Sequence, residues 1–565
     1  MPTTHYPEIN FHLQFAPFQP RVLKPEYFLM PLKLDHITLL YVYGLGEGSW
    51  FSQVEEWLET NSSHVLVILE DDLGVIAAFL KMPSAGTILH HPQIYLKFVA
   101  SKEMWEKTLG ECAKEFPYDH LYVTALPSYA KKKHARFRHI KLKIQRKTVL
   151  WNALLSEELL APLFHKNILA NIWQLPNTFY VNLWRGTFKG IPAIICGAGP
   201  SLVEAQDILK KHGNQALIFA GGSAISALSY MNITPHFAVA IDPNPQEYEH
   251  LKNLTCPQTP LIFSSRLLPK ARALFSGPLG YLSSKTGGPL EAYLEKKLKL
   301  EEPSIGTDLG QEALSVTTLA TSLAYALGCD PIIFVGVDMA YTGSQMYAPG
   351  VIESYTLGGQ KVCDQPIVRK NTQGNLVSTL VKWVMESEAL SQYAKSHPDR
   401  LFFNASPKGL GFKHIPNKNL EDILRPLSRD LKEEIGKKIA ETKLSISQTD
   451  IEALFLQIQQ SLERCLVLTE GLLQEEGLES GKKILLEMDL QEEIAYQPLL
   501  EGTLFAFELA RKKSFLIPDD LSHPLYFERA LRFEKAKWYH LKECLEQELI
   551  SLAGIVPACC ATSAN

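Results

Sequence analysis

Short runs of consecutive apolar residues alternate along the first two thirds of the chain with segments whose apolar residues recur at helical spacing. Runs of this kind are typical of strands that are buried on both faces of a sheet. The intervening segments are typical of amphipathic helices. The runs of the first part predict strands at residues 37–43, 65–69, 94–100 and 120–125. The alternation predicts a Rossmann-like parallel sheet covered by helices.

A second series of apolar runs follows and predicts a second parallel sheet of the same kind. Its expected strands are residues 193–196, 216–220, 237–241, 261–264, 279–283 and 332–337. Because ligands of such sheets bind beyond the carboxyl ends of the strands, the residues that follow each run become candidates for a site.

From about residue 419 the pattern becomes helical throughout, with Ile451, Leu454, Phe455, Ile458 and Leu462 on one helix face. Residues 1–35 show no sustained period and suggest an extended arm. The predicted fold class is therefore α/β, with an all-α C-terminal domain. The predicted domains are 1–150 (N-terminal, Rossmann-like), 151–176 (helical connector), 177–418 (central, nucleotide-binding) and 419–565 (helical, C-terminal).

Composition narrows the class of protein. The chain has 565 residues, a formal charge of −5 and nine scattered cysteines without a paired zinc-binding spacing. This charge argues against nucleic acid as a partner. Neither a signal peptide nor an apolar run long enough for a transmembrane segment is seen, so we expect a cytoplasmic protein with reduced thiols.

The stretch 192–202, Pro-Ala-Ile-Ile-Cys-Gly-Ala-Gly-Pro-Ser-Leu, is the strongest local signal. It predicts a strand, a tight turn and a helix start. Such a turn gathers main-chain N–H groups and suits a phosphate, with Gly197, Gly199, Pro200 and Ser201 as binding residues. An ordinary connection between a strand and a helix has the same appearance.

Polar residues follow the other strands of the second sheet and could meet at the same rim. They comprise a second glycine turn, aspartates, hydroxyls and a cation: Gly222, Ser223, Asp242, Asn244, Ser283, Lys285, Thr307 and Asp338. Together they suit a nucleotide, with Mg²⁺ held by Asp242 or Asp338. Taken singly, Asp242 could instead cap a turn, and Arg266 could pair with a surface carboxylate.

Two features of the N-terminal domain have a simpler interpretation. Residues 44–48 contain three alternate glycines and residues 70–72 are acidic, but this spacing differs from the dinucleotide fingerprint, and we favour a scaffold. The basic run 131–147 is more often a solvated helix face or a linker than a binding surface.

Several ordered motifs resemble one family. Residues 193–202, 235–243 (Pro-His-Phe-Ala-Val-Ala-Ile-Asp-Pro) and 331–341 (Pro-Ile-Ile-Phe-Val-Gly-Val-Asp-Met-Ala-Tyr) are similar to the motifs of the Maf (motility accessory factor) and MptE-like family. Residues 371–375 and 404–406 look like its last motifs. The resemblance covers about residues 177–416 and extends more loosely to the flanking domains.

This resemblance implies a transferase with a nucleotide as donor. The central domain of Maf proteins is similar to sialyltransferases. Resemblance to Maf proteins therefore implies transfer of the sugar from a CMP-activated nonulosonic acid to a Ser or Thr hydroxyl of an acceptor protein. MptE-like members imply transfer of diphosphate from ATP to a hydroxymethylpterin. A scaffold that binds nucleotide without turnover is the third possibility.

The chain departs from the family pattern at two positions that bear on catalysis. His236 stands where the family commonly has an aspartate, and Tyr347 where a histidine is expected. Since the acceptor hydroxyl needs a general base, His236 and His414 are candidates, or the base is missing. Tyr347 could hydrogen-bond a phosphate. The expected catalytic residues are thus Asp242, Asp338, His236 and Tyr347.

Overall fold

The structure is a computed structural model of the chain. It describes residues 6–28, 32–306, 315–351, 365–406, 408–427, 429–475, 480–511, 515 and 522–555. These residues form two compact units, the first ending at Leu155 and the second beginning at Ser156.

The first unit is built on a four-stranded parallel sheet in the order β3-β2-β1-β4. Its strands are β1 (Leu39–Tyr43), β2 (Val65–Glu70), β3 (Ile94–Phe98) and β4 (Leu121–Ala125). Its helices are α1 (Pro7–Phe15), α2 (Glu55–Thr60), α3 (Leu73–Phe79), α4 (Ser84–His90), α5 (Lys102–Glu115), α6 (Pro127–Lys132) and the start of α7 (His134–Leu159). The parallel sheet confirms the Rossmann-like prediction.

The second unit contains an eight-stranded parallel sheet in the order β14-β11-β6-β7-β8-β9-β10-β5. Its strands are β5 (Thr178–Tyr180), β6 (Ala193–Cys196), β7 (Leu217–Gly221), β8 (Phe237–Ala240), β9 (Leu261–Phe263), β10 (Leu279–Tyr281), β11 (Ile332–Val335) and β14 (Phe402–Asn404). A separate antiparallel hairpin pairs β12 (Pro366–Lys370) with β13 (Leu376–Leu380).

Helices cover both faces of this sheet. They are α8 (Ala161–Ile172), α9 (Gln206–His212), α10 (Ser223–Tyr230), α11 (Pro245–Leu251), α12 (Pro269–Arg272), α13 (Gly288–Lys297), α14 (Val316–Ala326), α15 (Val381–Ser396), α16 (Leu420–Ile423), α17 (Leu431–Glu441), α18 (Gln448–Gln474), α19 (Gly481–Glu492), α20 (Glu501–Arg511) and α21 (Tyr526–Ile555). Short 3₁₀ turns lie between several elements, among them Pro200–Ala205.

The strands of this sheet are apolar throughout because both of their faces are buried. Ile194 and Ile218 pack into one hydrophobic cluster together with α8, α10 and α18. Their neighbours Ile195 and Phe219 pack into a second cluster with α14, α15 and α17. Alternate residues of one strand therefore belong to two hydrophobic cores, one on each face of the sheet. The sheet is thus the middle of three layers, with helices on both sides.

The C-terminal helices share the first of these cores. Leu454, Phe455 and Ile458 of α18 and Leu541 of α21 belong to the same hydrophobic cluster as the sheet. The prediction of an all-helical C-terminal region is confirmed, and these helices pack directly on the sheet.

The structure differs from the sequence prediction at the N-terminus and at the edges of the sheet. Residues 7–15 form α1, which packs through Ile9, whereas an extended arm was expected. The edge strands β5 and β14 and the hairpin strands β12 and β13 were not predicted. The stretch after Gly199 begins with a 3₁₀ turn, and regular α-helix starts only at Gln206.

Candidate active site

A cleft of about 270 Å³ opens at the carboxyl ends of β6, β7 and β11. The strand order reverses between β6 and β11, because β7 to β10 lie on one side of β6 and β11 and β14 on the other. Such a reversal leaves a crevice where parallel sheets bind ligands. The glycine turn after β6, the glycine turn after β7 and the residues after β11 line this cleft.

Asp338 and Ser201 join the two sides of this reversal. The Asp338 carboxylate accepts hydrogen bonds from the Ser201 hydroxyl and from the Ser201 N–H at 2.9 Å. Asp338 is 2% exposed, and burial raises its pKa, while the bonds from Ser201 act in the opposite direction. The carboxylate therefore fixes the start of the 3₁₀ turn that begins at Pro200. Asp338 itself lines the cleft, whereas Pro200 and Ser201, which were expected to bind the ligand, are not among the lining residues.

Gly197 and Gly199 are required by close packing. A Cβ atom on Gly197 would lie 2.4 Å from the Gly336 carbonyl oxygen, and one on Gly199 would lie 2.5 Å from an Asp338 carboxylate oxygen. Neither glycine has a positive φ. Both were expected to bind a phosphate, but the loop after β11 occupies the space beside them.

Two helices begin at the cleft. Gly222, with φ of 48°, turns the chain into α10, and Gly222 and Ser223 line the cleft. Ser315 caps α14 by accepting from the Thr318 N–H at 3.1 Å, and Ser315 and Val316 also line it. The starts of both helices, and with them the positive ends of both helix dipoles, thus line one cleft, which favours an anionic group there.

Two carboxyl groups at the cleft were missed by the sequence analysis. Glu247 of α11 is 3% exposed, and burial, with a smaller effect of Asp242, raises its pKa to about 8. Glu386 of α15 accepts a hydrogen bond from the Ser315 hydroxyl, and burial raises its pKa to about 7. No lysine or arginine is among the described residues that line the cleft.

The loop that follows Asp338 forms one wall. Tyr347 lines the cleft, as expected, and the next residue, Ala348, donates its N–H to the Ala198 carbonyl at 2.8 Å. Gly350 packs against the Tyr230 side chain at the end of α10. The loop is therefore held on both sides of the Gly197 turn.

Asp242 and Asn244 lie at the carboxyl end of β8 and do not line the cleft. The Asp242 carboxylate accepts from the Asn244 N–H at 2.9 Å and from the Asn244 side-chain amide at 2.8 Å. This closed turn is the alternative that the sequence had left open for Asp242. Its charge acts on the site only through Glu247 and His250.

Ser283 and Lys285 follow β10, four strands from β6, and are not part of the cleft. The Ser283 hydroxyl donates to Glu295 at 2.8 Å, and its N–H donates to the Asn182 side chain at 3.0 Å. Lys285 is exposed. Thr307 lies outside the described residues. The expectation that strand-end residues from β6 to β10 share one ligand fails because the sheet is too wide.

His236 is not placed to act as the general base. It precedes β8 and so lies at the amino edge of the sheet, opposite the cleft. Its Nδ1 accepts the Ile218 N–H at 3.1 Å, and burial lowers its pKa to about 4. Because it is a buried structural residue, assigning it to catalysis was wrong. His414 is exposed and does not line the cleft.

The described residues do not fit a metal ion held by Asp242 or Asp338, nor one shared by both. The two residues follow strands three positions apart, which is about 14 Å at the usual strand spacing. Both Asp338 oxygens already accept hydrogen bonds from Ser201. Within the described ranges, no group of three or more His, Cys, Asp or Glu side chains could hold a metal.

In the first unit the corresponding position is filled by the protein itself. The Glu70 carboxylate accepts from the Leu45, Asp71 and Asp72 N–H groups and from the Tyr129 hydroxyl. Burial raises the pKa of Glu70 to about 7. The acidic end of β2 is thus a structural network, as the scaffold interpretation held.

The basic run pairs with this acidic cluster and with other acidic side chains of the first unit. Lys133 and Arg136 bind Asp71, and Lys143 binds Glu106. These ion pairs involve three of the nine lysines and arginines in residues 131–147.

In the part of the chain that the structure describes, no single helix is long and apolar enough to cross a membrane. One pair, α3 and α4, reaches the required length and apolarity when taken together, with a bend of 108° between its members.

Part of the chain matches a known family model, and the chain is similar to a solved structure. Residues 166–344 match the family model described as 6-hydroxymethylpterin diphosphokinase MptE-like. No curated protein matches the chain in sequence. The chain is similar to the solved structure of MAf glycosyltransferase from Magnetospirillum magneticum AMB-1, at 15% identity and a TM-score of 0.46, over 92% of this chain and 79% of that one. The family match includes both Gly197 and Asp338, and it confirms the resemblance of the central segment, residues 166–344, to the MptE-like family.

Proposed function

We propose that the chain is a transferase that binds a nucleotide-activated sugar in the cleft and passes the sugar to an acceptor hydroxyl. The observation that carries this proposal is the composition of the cleft. It combines the starts of α10 and α14 with the Glu386 carboxyl, and no lysine or arginine is among its described lining residues. Helix starts alone suit a single phosphodiester better than a polyphosphate, whose greater charge usually requires cations.

In this proposal the donor is a CMP-activated nonulosonic acid, as the motif resemblance implies. Its phosphate lies at the starts of α10 and α14, which both line the cleft. The acceptor oxygen forms a bond to the anomeric carbon, the bond from that carbon to the phosphate oxygen breaks, and its electron pair leaves with CMP. The acceptor proton passes to Glu386. A carboxyl with a pKa near 7 suits a general base at neutral pH.

A thermal-shift titration with CMP, UMP, AMP and ATP, with and without MgCl₂, tests the binding step. We expect CMP to raise the melting temperature without added magnesium. Release of CMP from CMP-N-acetylneuraminate, by transfer of the sugar to water, tests the chemistry. If no cytidine nucleotide shifts the melting temperature, this function is refuted.

The family description favours a second candidate, a diphosphokinase. It requires Mg²⁺ and ATP, with 6-hydroxymethylpterin as acceptor. Formation of AMP from ATP that depends on the pterin would establish this activity and displace the first proposal. If both assays show binding without turnover, the third possibility, a nucleotide-binding scaffold, remains.

A further inference from the structure

Two polar side chains of α11 line the cleft and have buried atoms without a hydrogen-bond partner among the described residues. Glu247 and His250 are one helical turn apart, and both line the cleft. Neither carboxyl oxygen of Glu247 has a hydrogen-bond partner among the described residues, and Oε1 is fully buried. The His250 Nε2 atom is likewise buried without a partner. Buried polar groups are nearly always hydrogen-bonded, so this pair points to a missing ligand.

The position of Glu247 strengthens this interpretation. A Cβ atom on Gly222, at the start of α10, would lie 3.4 Å from Glu247 Oε2. A carboxyl next to a helix start often accepts its N–H groups, yet Glu247 accepts none from the described residues. Glu247 and Gly222 both line the cleft, so a group bound there can reach the Glu247 carboxyl.

The two side chains favour an uncharged ligand group. Burial raises the pKa of Glu247 and lowers that of His250, so both side chains are largely neutral near pH 7. A neutral carboxyl and a neutral imidazole each both donate and accept hydrogen bonds. This combination matches hydroxyl groups, which also donate and accept.

We propose that Glu247 and His250 form a subsite for the vicinal hydroxyl groups of a pentose, namely the ribose of the nucleotide donor. The proposal rests on the proposed function, in which the phosphate lies at the start of α10. The ribose is the part of a nucleotide attached directly to that phosphate, and Glu247 is the polar side chain beside Gly222. A hydroxyl pair on the ribose would satisfy both orphaned groups at once.

The test compares CMP with 2′-deoxy-CMP by isothermal titration calorimetry on the full chain. Wild type should bind CMP at least tenfold more tightly than 2′-deoxy-CMP, since a site built for a hydroxyl rejects the analogue that lacks it. Glu247→Met, which fills the same space without a hydrogen-bonding group, should reduce this ratio to about one. Glu247→Gln should retain most of it, because an amide still donates and accepts.

Glu249→Gln is the matched control, since Glu249 lies on the same helix, outside the cleft, and pairs with Lys252. It should leave the ratio unchanged. Binding of CMP with equal affinity for 2′-deoxy-CMP, or a ratio unaffected by Glu247→Met, would overturn the subsite while leaving the proposed function intact. Absence of CMP binding to wild type would overturn both.

Discussion

Glu247 carries a stability cost that depends on pH and can be measured without any ligand. Its ordinary pKa of 4.5, which applies to the unfolded chain, rises to about 8 in the folded protein because of burial and the nearby Asp242 charge. Between these values the unfolded chain releases the proton while the folded chain keeps it. The folded state therefore loses stability as the pH rises from 4.5 to about 8, and none of this loss is present below 4.5.

The magnitude follows from the width of that interval. At 1.36 kcal/mol per pH unit, the interval from 4.5 to about 8 corresponds to about 5 kcal/mol. Glu247→Gln has the same shape without the ionisation, so it should remove this cost. We expect the variant to match wild type near pH 4.5 and to exceed it by several kcal/mol at pH 8, a gain on the order of 5–10 °C in melting temperature.

The assay is differential scanning fluorimetry of both proteins from pH 4.5 to 8.5 in buffers of constant ionic strength. Glu249→Gln, on the exposed side of α11, should show no such gain as the pH rises. A melting-temperature difference between Glu247→Gln and wild type that stays constant over the whole range would refute the burial of an unpaired carboxyl at this position. A variant that is less stable at pH 8 would show that the Glu247 carboxylate has a partner after all.

Three further substitutions test the cleft. Ser201→Ala removes a donor from the buried Asp338 carboxylate and should lower stability by about 2 kcal/mol, measured by denaturant unfolding; an unchanged midpoint would contradict this. Gly221→Ala places a Cβ 1.7 Å from Val316 Cγ1 and should cost about 1–3 kcal/mol, part of which Val316→Ala restores in the double variant. Glu386→Gln should reduce release of CMP from CMP-N-acetylneuraminate about 100-fold or more while CMP binding is retained, and undiminished turnover would exclude Glu386 as the base.

The sheets were predictable from sequence because their strands are buried on both faces. Each of the ten expected strands coincides with an observed one to within a few residues, since runs such as residues 193–196 are apolar without interruption. The edge strand β5 was not predicted from the sequence. Its position is set by long-range contacts, including a hydrogen bond from the Tyr180 N–H to the Thr442 carbonyl at 2.8 Å.

Apart from Tyr347, which the family resemblance indicated, the cleft residues that were predicted are those that closely follow central strands. The Gly197 turn, the Gly222 turn and Asp338 follow β6, β7 and β11, and their meeting at one cleft depends only on neighbouring strand positions. Ser283 and Lys285 also follow the carboxyl end of a strand, but that strand, β10, is four positions from β6. Because the sequence alone does not reveal the order of strands in a sheet, this distance was not predictable.

The helical carboxyls of the site required tertiary information. Glu386 lies within a long helix and reaches the cleft through the packing of α15 beside α14. A signal for Glu247 was available, because it precedes the buried Leu251 by four residues and therefore shares the inward face of α11. A glutamate on an inward helix face is a reason to look for its partner.

The two sheets of this chain show what distinguishes a ligand site from a scaffold of the same topology. In the first unit the buried Glu70 receives four hydrogen bonds, and the Tyr129 ring fills the space beside Gly44, so nothing is left for a ligand to satisfy. In the second unit Glu247 is also buried, and it receives none from the residues that the structure describes. Glycine turns and acidic residues occur in both, which is why neither motif was decisive. The donors around the buried carboxyl distinguish the two sheets, and their absence among the described neighbours of Glu247 is the reason for proposing a ligand at the second sheet.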